Sequence, residues 1–260
     1  MTGLKMLTSL AKNSAARLRD AAITLLYPRP CRICGLSVES WNEGMACTNC
    51  WQEFDEQHLS DQHCEKCGLA LRPISAFQPA VPPTCGKCDE MVFVLARSCG
   101  VYEAALRESV LQLKRHSHLA TVLQDRVVKT FSEIQSRYPV ESVIPVPLAP
   151  GRQQERGFNQ AEMLARALTD RTGLYLDTFS LIRCRETLRH RAGMDGLARA
   201  KSLEKAFAVR APRLIEARHL LLVDDVMTSG ATVNEIAKVL LTSGANSVCV
   251  LTLARAKYLR

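Results

Sequence analysis

Eight of the chain's eleven cysteines stand as four C-x-x-C pairs between Cys31 and Cys88. Cys31, Cys34, Cys47 and Cys50 fit C-x2-C-x12-C-x2-C, and Cys64, Cys67, Cys85 and Cys88 fit C-x2-C-x17-C-x2-C. Four thiolates fill the tetrahedral shell of a zinc ion and leave no position open for catalysis, so two structural Zn2+ sites are expected. Sequential and interleaved pairing of the four pairs both satisfy the spacing. Gly35 and Gly68 follow the second cysteine of a pair, where a tight turn wants an unhindered backbone. Cys99, Cys184 and Cys249 stand alone. Zinc thiolates suit a reducing compartment, and no secretory signal supports a disulfide framework instead.

A second constellation lies in "LLLVDDVMTSGAT", residues 220–232. Leu220 to Val223 read as a strand covered on both faces, which is the habit of a parallel sheet, and ligands bind beyond the ends of such strands. Two adjacent carboxylates, Asp224 and Asp225, would repel each other in a purely structural role. At a strand end they are placed to accept hydrogen bonds from vicinal hydroxyls. Val226 and Met227 then lead into Thr228, Ser229, Gly230, Ala231 and Thr232. The N–H groups and hydroxyls of that loop, at a helix N-terminus, suit a phosphate dianion. A diol on one side and a monophosphate on the other describe a ribose 5-phosphate.

The elements that position these residues follow from periodicity. Leu4, Leu7, Ala11, Ala15, Leu18, Ala22 and Leu25 recur at helical spacing, with charges between them too frequent for a membrane span. The expected organisation is an amphipathic helix over 1–27, a zinc-ribbon domain over 28–90 and an α/β domain over 91–260. In the last, "VFVLARSCGVY", "ESVIPVPL", "LLLV" and "SVCVLTLA" read as strands. Helices are expected with Leu106, Val110 and Leu113 on one face, across "LATVLQDRVVKTF" and "NQAEMLARALTDRTG", and over "TVNEIAKVLLTSG". Alternation of strand and helix over this length argues for a mostly parallel sheet flanked by helices.

These motifs resemble a known family. "LLLVDDVMTSGAT" looks like the PRPP-binding motif of type I phosphoribosyltransferases. "VIPVPLAPGRQQERGFNQAEMLARAL" and "YEAALRESVLQLKRHSHLA" resemble further signatures of the ComF/GntX family, competence-associated proteins that join such a domain to an N-terminal double zinc ribbon. The resemblance implies that Asp224 and Asp225 hold the ribose hydroxyls and residues 228–232 the 5-phosphate. It places Lys114, Pro147, Leu148, Arg152, Arg156 and Asn159 on the pyrophosphate side and implies Mg2+ carried with PRPP. The chain departs from the family at 115–117, which read "RHS" instead of Tyr-x-Gly, and at His190, which replaces a glutamine three residues after Thr187. No catalytic residue is assigned.

The net charge of +8 calls for an anionic partner without naming one. Residues 183–218 hold ten Lys/Arg against four Asp/Glu, and Arg189, Arg191, Arg199 and Lys201 are candidates for phosphate contacts. Trp41 and Trp51 are candidates for base stacking or for filling a small core. Three functions are compatible with this reading. The favoured one is a ComF-like protein that binds PRPP and single-stranded DNA and works with DNA-uptake or recombination proteins. The others are a nucleobase phosphoribosyltransferase of salvage and a PRPP-responsive scaffold without turnover. A cytoplasmic location is expected, with any membrane association made through partners.

Overall fold

The computed structural model describes residues 20, 22–58, 62–71, 84–185 and 205–257. Thr187, Arg189, His190, Arg191, Arg199 and Lys201, and most of the N-terminal amphipathic stretch, lie outside the described residues. Among the described residues, no helix is long and apolar enough to cross a membrane.

Leu220–Val223 and Val248–Leu251 are apolar without alternation because both faces of their strands are covered. They belong to a sheet made of β1 (Leu95–Ser98), β2 (Ser142–Pro145), β3 (Tyr175–Leu176), β6 (His219–Met227) and β7 (Ser247–Arg255). The order is β1-β7-β6-β2-β3 and every pairing is parallel. Two short strands, β4 (Leu181–Arg183) and β5 (Phe207–Val209), form a separate antiparallel pair. The helices are α1 (22–26), α2 (Thr48–His58), α3 (Ala104–Leu113), α4 (Thr121–Gln135), α5 (Pro150–Arg156), α6 (Gln160–Thr172) and α7 (Ala231–Thr242). The expected class, a mostly parallel sheet flanked by helices, is therefore the observed one.

Two local readings need correction, and one short element went unread. The strand read as Leu220–Val223 runs on to Met227, because Val226 and Met227 still pair with Ala254 and Arg255 of β7. The aspartates thus lie inside the last part of β6. Its helix begins at Ala231, one residue earlier than the apolar periodicity indicated. The stretch "PGRQQER", to which periodicity assigned no element, is the short helix α5, started by a proline at its first position and stopped by Gly157.

Side chains alternate across the sheet, so its two faces build two cores. One face carries Leu95, Val143, Leu221, Val223 and Leu251 and packs on α3, α4 and α6. The other carries Ala96, Ile144, Leu222 and Val250 and packs on α7 and the β4–β5 pair. Each cysteine cluster extends one of these cores. Cys31, Cys47 and Cys50, with Trp51 and Phe54, join the first core; Cys64, Cys67 and Cys88, with Leu69, join the second.

Candidate functional site

The two cysteine sets are closed and sequential. The Sγ atoms of Cys31, Cys34, Cys47 and Cys50 lie within 4.8 Å of one another, as do those of Cys64, Cys67, Cys85 and Cys88. Individual separations are 3.7 Å for Cys31–Cys50 and Cys34–Cys47, 3.5 Å for Cys64–Cys88 and 3.6 Å for Cys67–Cys85. A tetrahedral zinc with Zn–S bonds of about 2.3 Å has edges of roughly 3.8 Å, so both sets fit the ion. A disulfide would need about 2.05 Å. Gly35 and Gly68 have φ of +79° and +65°, the conformation expected of the knuckle turns. The first cysteine of each set is the best prepared ligand. Burial pushes the Cys31 thiol up, but backbone N–H groups of Cys34, Cys47 and Ile33 outweigh it and bring it to about 6. Cys64 reaches about 7 by the same balance, with Cys67, Lys66 and Cys85 supplying the N–H groups and Cys88 a side-chain hydrogen bond.

The end of β6 opens on a pocket of about 150 Å³. Lys114, Pro147, Leu148, Arg152, Arg156 and Asn159 all line it, together with Asp224, Asp225 and Thr232. Residues 114, 147–159 and 224–232 are brought together because α3, β2 and β6 end on the same side of a parallel sheet. Val226 and Met227 at the end of β6, Thr228, Ser229 and Gly230 of the turn that follows, and Ala231, the first residue of α7, do not line this pocket. Gly230 caps α7 at φ +83°, and a Cβ there would sit 2.8 Å from the Met227 methyl, so this turn requires glycine.

Charge within the pocket is unevenly compensated. Lys114 Nζ lies 3.4 Å from Asp225 Oδ2, while Asp224 accepts a hydrogen bond from the Asp225 backbone N–H at 2.8 Å. Burial and then the neighbouring Asp225 charge hold the Asp224 carboxyl well above the usual carboxylate range, with Lys114 and the Asp225 N–H opposing. Such a pair is relieved by a cation or by hydroxyl donors. Asn159 is occupied structurally: its amide donates to Val146 O at 3.0 Å and its Oδ1 caps α6 by accepting from Ala161 N–H. Arg156 donates to Gln160 Oε1 at 3.0 Å.

Proteins of similar sequence place the chain in a family. It is 31% identical over 238 residues to a DNA utilization protein of Salmonella typhi, covering 89% of this chain and 99% of that protein. The chain belongs to the ComF/GntX family. Competence protein F of Haemophilus influenzae is 30% identical over 81% of this chain and 90% of its own length. Competence protein ComFC of Bacillus subtilis is 27% identical over 79% and 89%. No protein-family model matches the chain. Among solved structures, glutamine PRPP amidotransferase from B. subtilis aligns at 17% identity and TM-score 0.37, over 55% of this chain and 30% of that one. A hypoxanthine phosphoribosyltransferase from Staphylococcus aureus aligns at 15% identity and TM-score 0.33, over 51% and 62%. Overlaps of that quality carry no weight of their own.

In this ComF/GntX chain the pocket has one basic lining residue that motif reading left out of the site. Arg183 closes it from the end of β4. Its position in the basic stretch 183–218 was the available signal, but the residues singled out there were Arg189, Arg191, Arg199 and Lys201. Trp51 is 4% exposed, so no base reaches it, and Arg29 covers one face of Trp41 at 3.6 Å. A larger cavity of about 330 Å³ lies between the second cysteine cluster and the ends of β1 and β7. Its Arg97 and Arg137 are held by Glu133 and Glu65 and its Lys257 by Glu103, while Arg255 donates to Cys67 Sγ.

Proposed function

We propose that the pocket at the end of β6 binds PRPP with its Mg2+, and that the protein serves DNA utilisation or natural transformation through that ligand and single-stranded DNA. The observation that carries the ligand reading is the convergence of two neighbouring carboxylates with Lys114, Arg152, Arg156 and Arg183 around one pocket. Asp224 and Asp225 would accept from the ribose hydroxyls, and Thr228 to Thr232 at the start of α7 would receive the 5-phosphate. The guanidinium and ammonium groups would neutralise the diphosphate. The carboxylates are hard oxygen donors of the kind Mg2+ takes, usually with water and phosphate completing its shell. The DNA side of the reading is supported by the names of the relatives and by the basic balance of the chain. A reducing cytoplasmic setting agrees with eight zinc-type thiolates.

Calorimetry with PRPP and Mg2+ tests the ligand. Asp224→Asn with Asp225→Asn should abolish measurable binding while circular dichroism stays native, because removing each charge-assisted hydrogen bond weakens binding by roughly 1.5–3 kcal/mol. Unchanged affinity in the folded double variant would remove the assignment. Release of pyrophosphate on adding nucleobases would favour the salvage transferase instead.

A further inference from the structure

Arginines in this chain are compensated differently in different places. On the helical side they meet carboxylates: Arg126 with Asp55, Arg166 with Glu162, Arg171 with Asp125. Along the β3 side of the sheet they meet aromatic rings. Arg218 lies 5.9 Å from the Tyr175 ring centre, Arg210 3.6 Å from that of Phe179, and Arg183 5.3 Å from that of Phe207. Arg210 and Arg218 have no carboxylate partner among the described residues.

The local structure shows why the Tyr175 and Phe179 rings stay outside, whereas Phe207 is buried in the second core. Asp177, itself buried, accepts from the backbone N–H groups of Phe179 and Ser180 at 2.9 and 2.8 Å. That turn faces Phe179 outward at 53% exposure, and Tyr175 at the start of β3 is 50% exposed. β5 runs antiparallel to β4, so Arg210 returns beside Phe179 and donates to its carbonyl at 2.5 Å. The chain then descends to Arg218, one residue before β6, whose Leu220 shares with Tyr175 the β2 partner Ser142. The three pairs are therefore spread along one margin of the sheet. The Arg183 end opens into the pocket of Asp224 and Asp225.

We infer that this margin is the surface on which single-stranded DNA lies, its bases stacking on Tyr175, Phe179 and the guanidinium planes and its phosphates meeting Arg210 and Arg218. The exposed Tyr175 and Phe179 rings, capped by Arg218 and Arg210 that have no carboxylate partner among the described residues, suit a polyanion with flat, unpaired bases. A duplex hides its base faces and an acidic peptide has none. Tyr175 to Arg183 spans at most about 26 Å of chain, which suits a site of a few nucleotides. The inference rests on the DNA reading above.

Fluorescence anisotropy with an oligo(dT) probe across a salt series tests it, with melting curves and PRPP titration as controls for the fold and the pocket. Tyr175→Ala with Phe179→Ala should weaken binding about tenfold or more with the salt slope unchanged. Arg210→Gln with Arg218→Gln should lower the slope by about 0.7 for each phosphate no longer neutralised. A wild-type protein that does not bind the probe would overturn both the DNA reading and this surface. Wild-type binding with all four substitutions silent would overturn the surface and leave the DNA reading in place. Polyglutamate competing as well as oligo(dT) would also overturn it, because stacking would then contribute nothing.

Discussion

The two cysteine clusters share a ligand pattern but are attached to the sheet in different ways. The first reaches it through side chains. Trp51 and Phe54 on α2 pack edge to face at 6.0 Å, and Arg126 of α4 grips Asp55 with two bonds of 2.8 Å while lying 4.4 Å from the Trp51 ring centre. The second is attached through the backbone and through charge. Ala96 on the outer edge of β1 donates to Lys66 O at 2.7 Å, so the knuckle covers an edge that would otherwise present unpaired groups. Arg255, 5% exposed at the end of β7, donates to Cys67 Sγ at 3.4 Å, and its Nε and Nη1 find no acceptor among the described residues. Its main counter-charge is the thiolate cluster. One module is thus held by packing and the other by an electrostatic dependence on its metal.

The sharpest way to break that comparison is to remove one ligand from each cluster. Cys34→Ser and Cys67→Ser should each cost one zinc by elemental analysis. Only Cys67→Ser leaves a buried cation uncompensated, a loss of roughly 3–5 kcal/mol in urea unfolding. Adding Arg255→Met to Cys67→Ser should recover part of that loss, since the orphaned charge leaves too. Equal costs for the two single variants, or no recovery, would show that Arg255 does not depend on the cluster.

A smaller effect probes the first module. Arg126→Ala removes an ion pair with a partly exposed carboxylate and a cation–π contact, together about 1–2 kcal/mol. In a Cys34→Ser background the same substitution should cost clearly less, because the module it grips has lost its metal. Additive losses in a double-mutant cycle would argue that α2 docks on α4 independently of zinc.

The distinction between the modules was not legible in the sequence, and the reason is physical. Spacing identifies the eight ligands because the two thiolates of each C-x-x-C pair are local, but it left sequential and interleaved pairing open, and the fold brings Cys31 to Cys50 and Cys64 to Cys88 together as two sets. Which core a cluster joins depends on contacts over long separations, such as Arg255 with Cys67. Helices α3, α4, α6 and α7 and the main strands followed from their apolar periodicity. The short elements α5, β3 and the β4–β5 pair carry too few residues for a period to register. The aspartates were found by motif, but their inclusion within β6 depends on pairing with β7, and the sequence of β6 alone does not contain that.

The smallest effect expected concerns the pocket, where neither packing nor metal compensates the charge. Asp224 in the unliganded protein is held above its ordinary range by burial and by Asp225. A carboxyl whose value is raised on folding contributes stability that is complete below its unfolded value and is lost as pH rises through the folded one. At pH 8 the raised Asp224 carboxyl therefore costs stability. Asp224→Asn should melt above the wild type there, because the amide oxygen still accepts from the Asp225 N–H and no charge opposes Asp225. The advantage should shrink on acidification and vanish near pH 3, where the wild-type carboxyl is protonated in both states. A melting temperature for Asp224→Asn at or below that of wild type at pH 8 would mean that the pair is already neutralised within the fold, and Lys114 is the nearest candidate. Lys114→Met would then lower the wild-type melting temperature at pH 8 and leave it unchanged at pH 3.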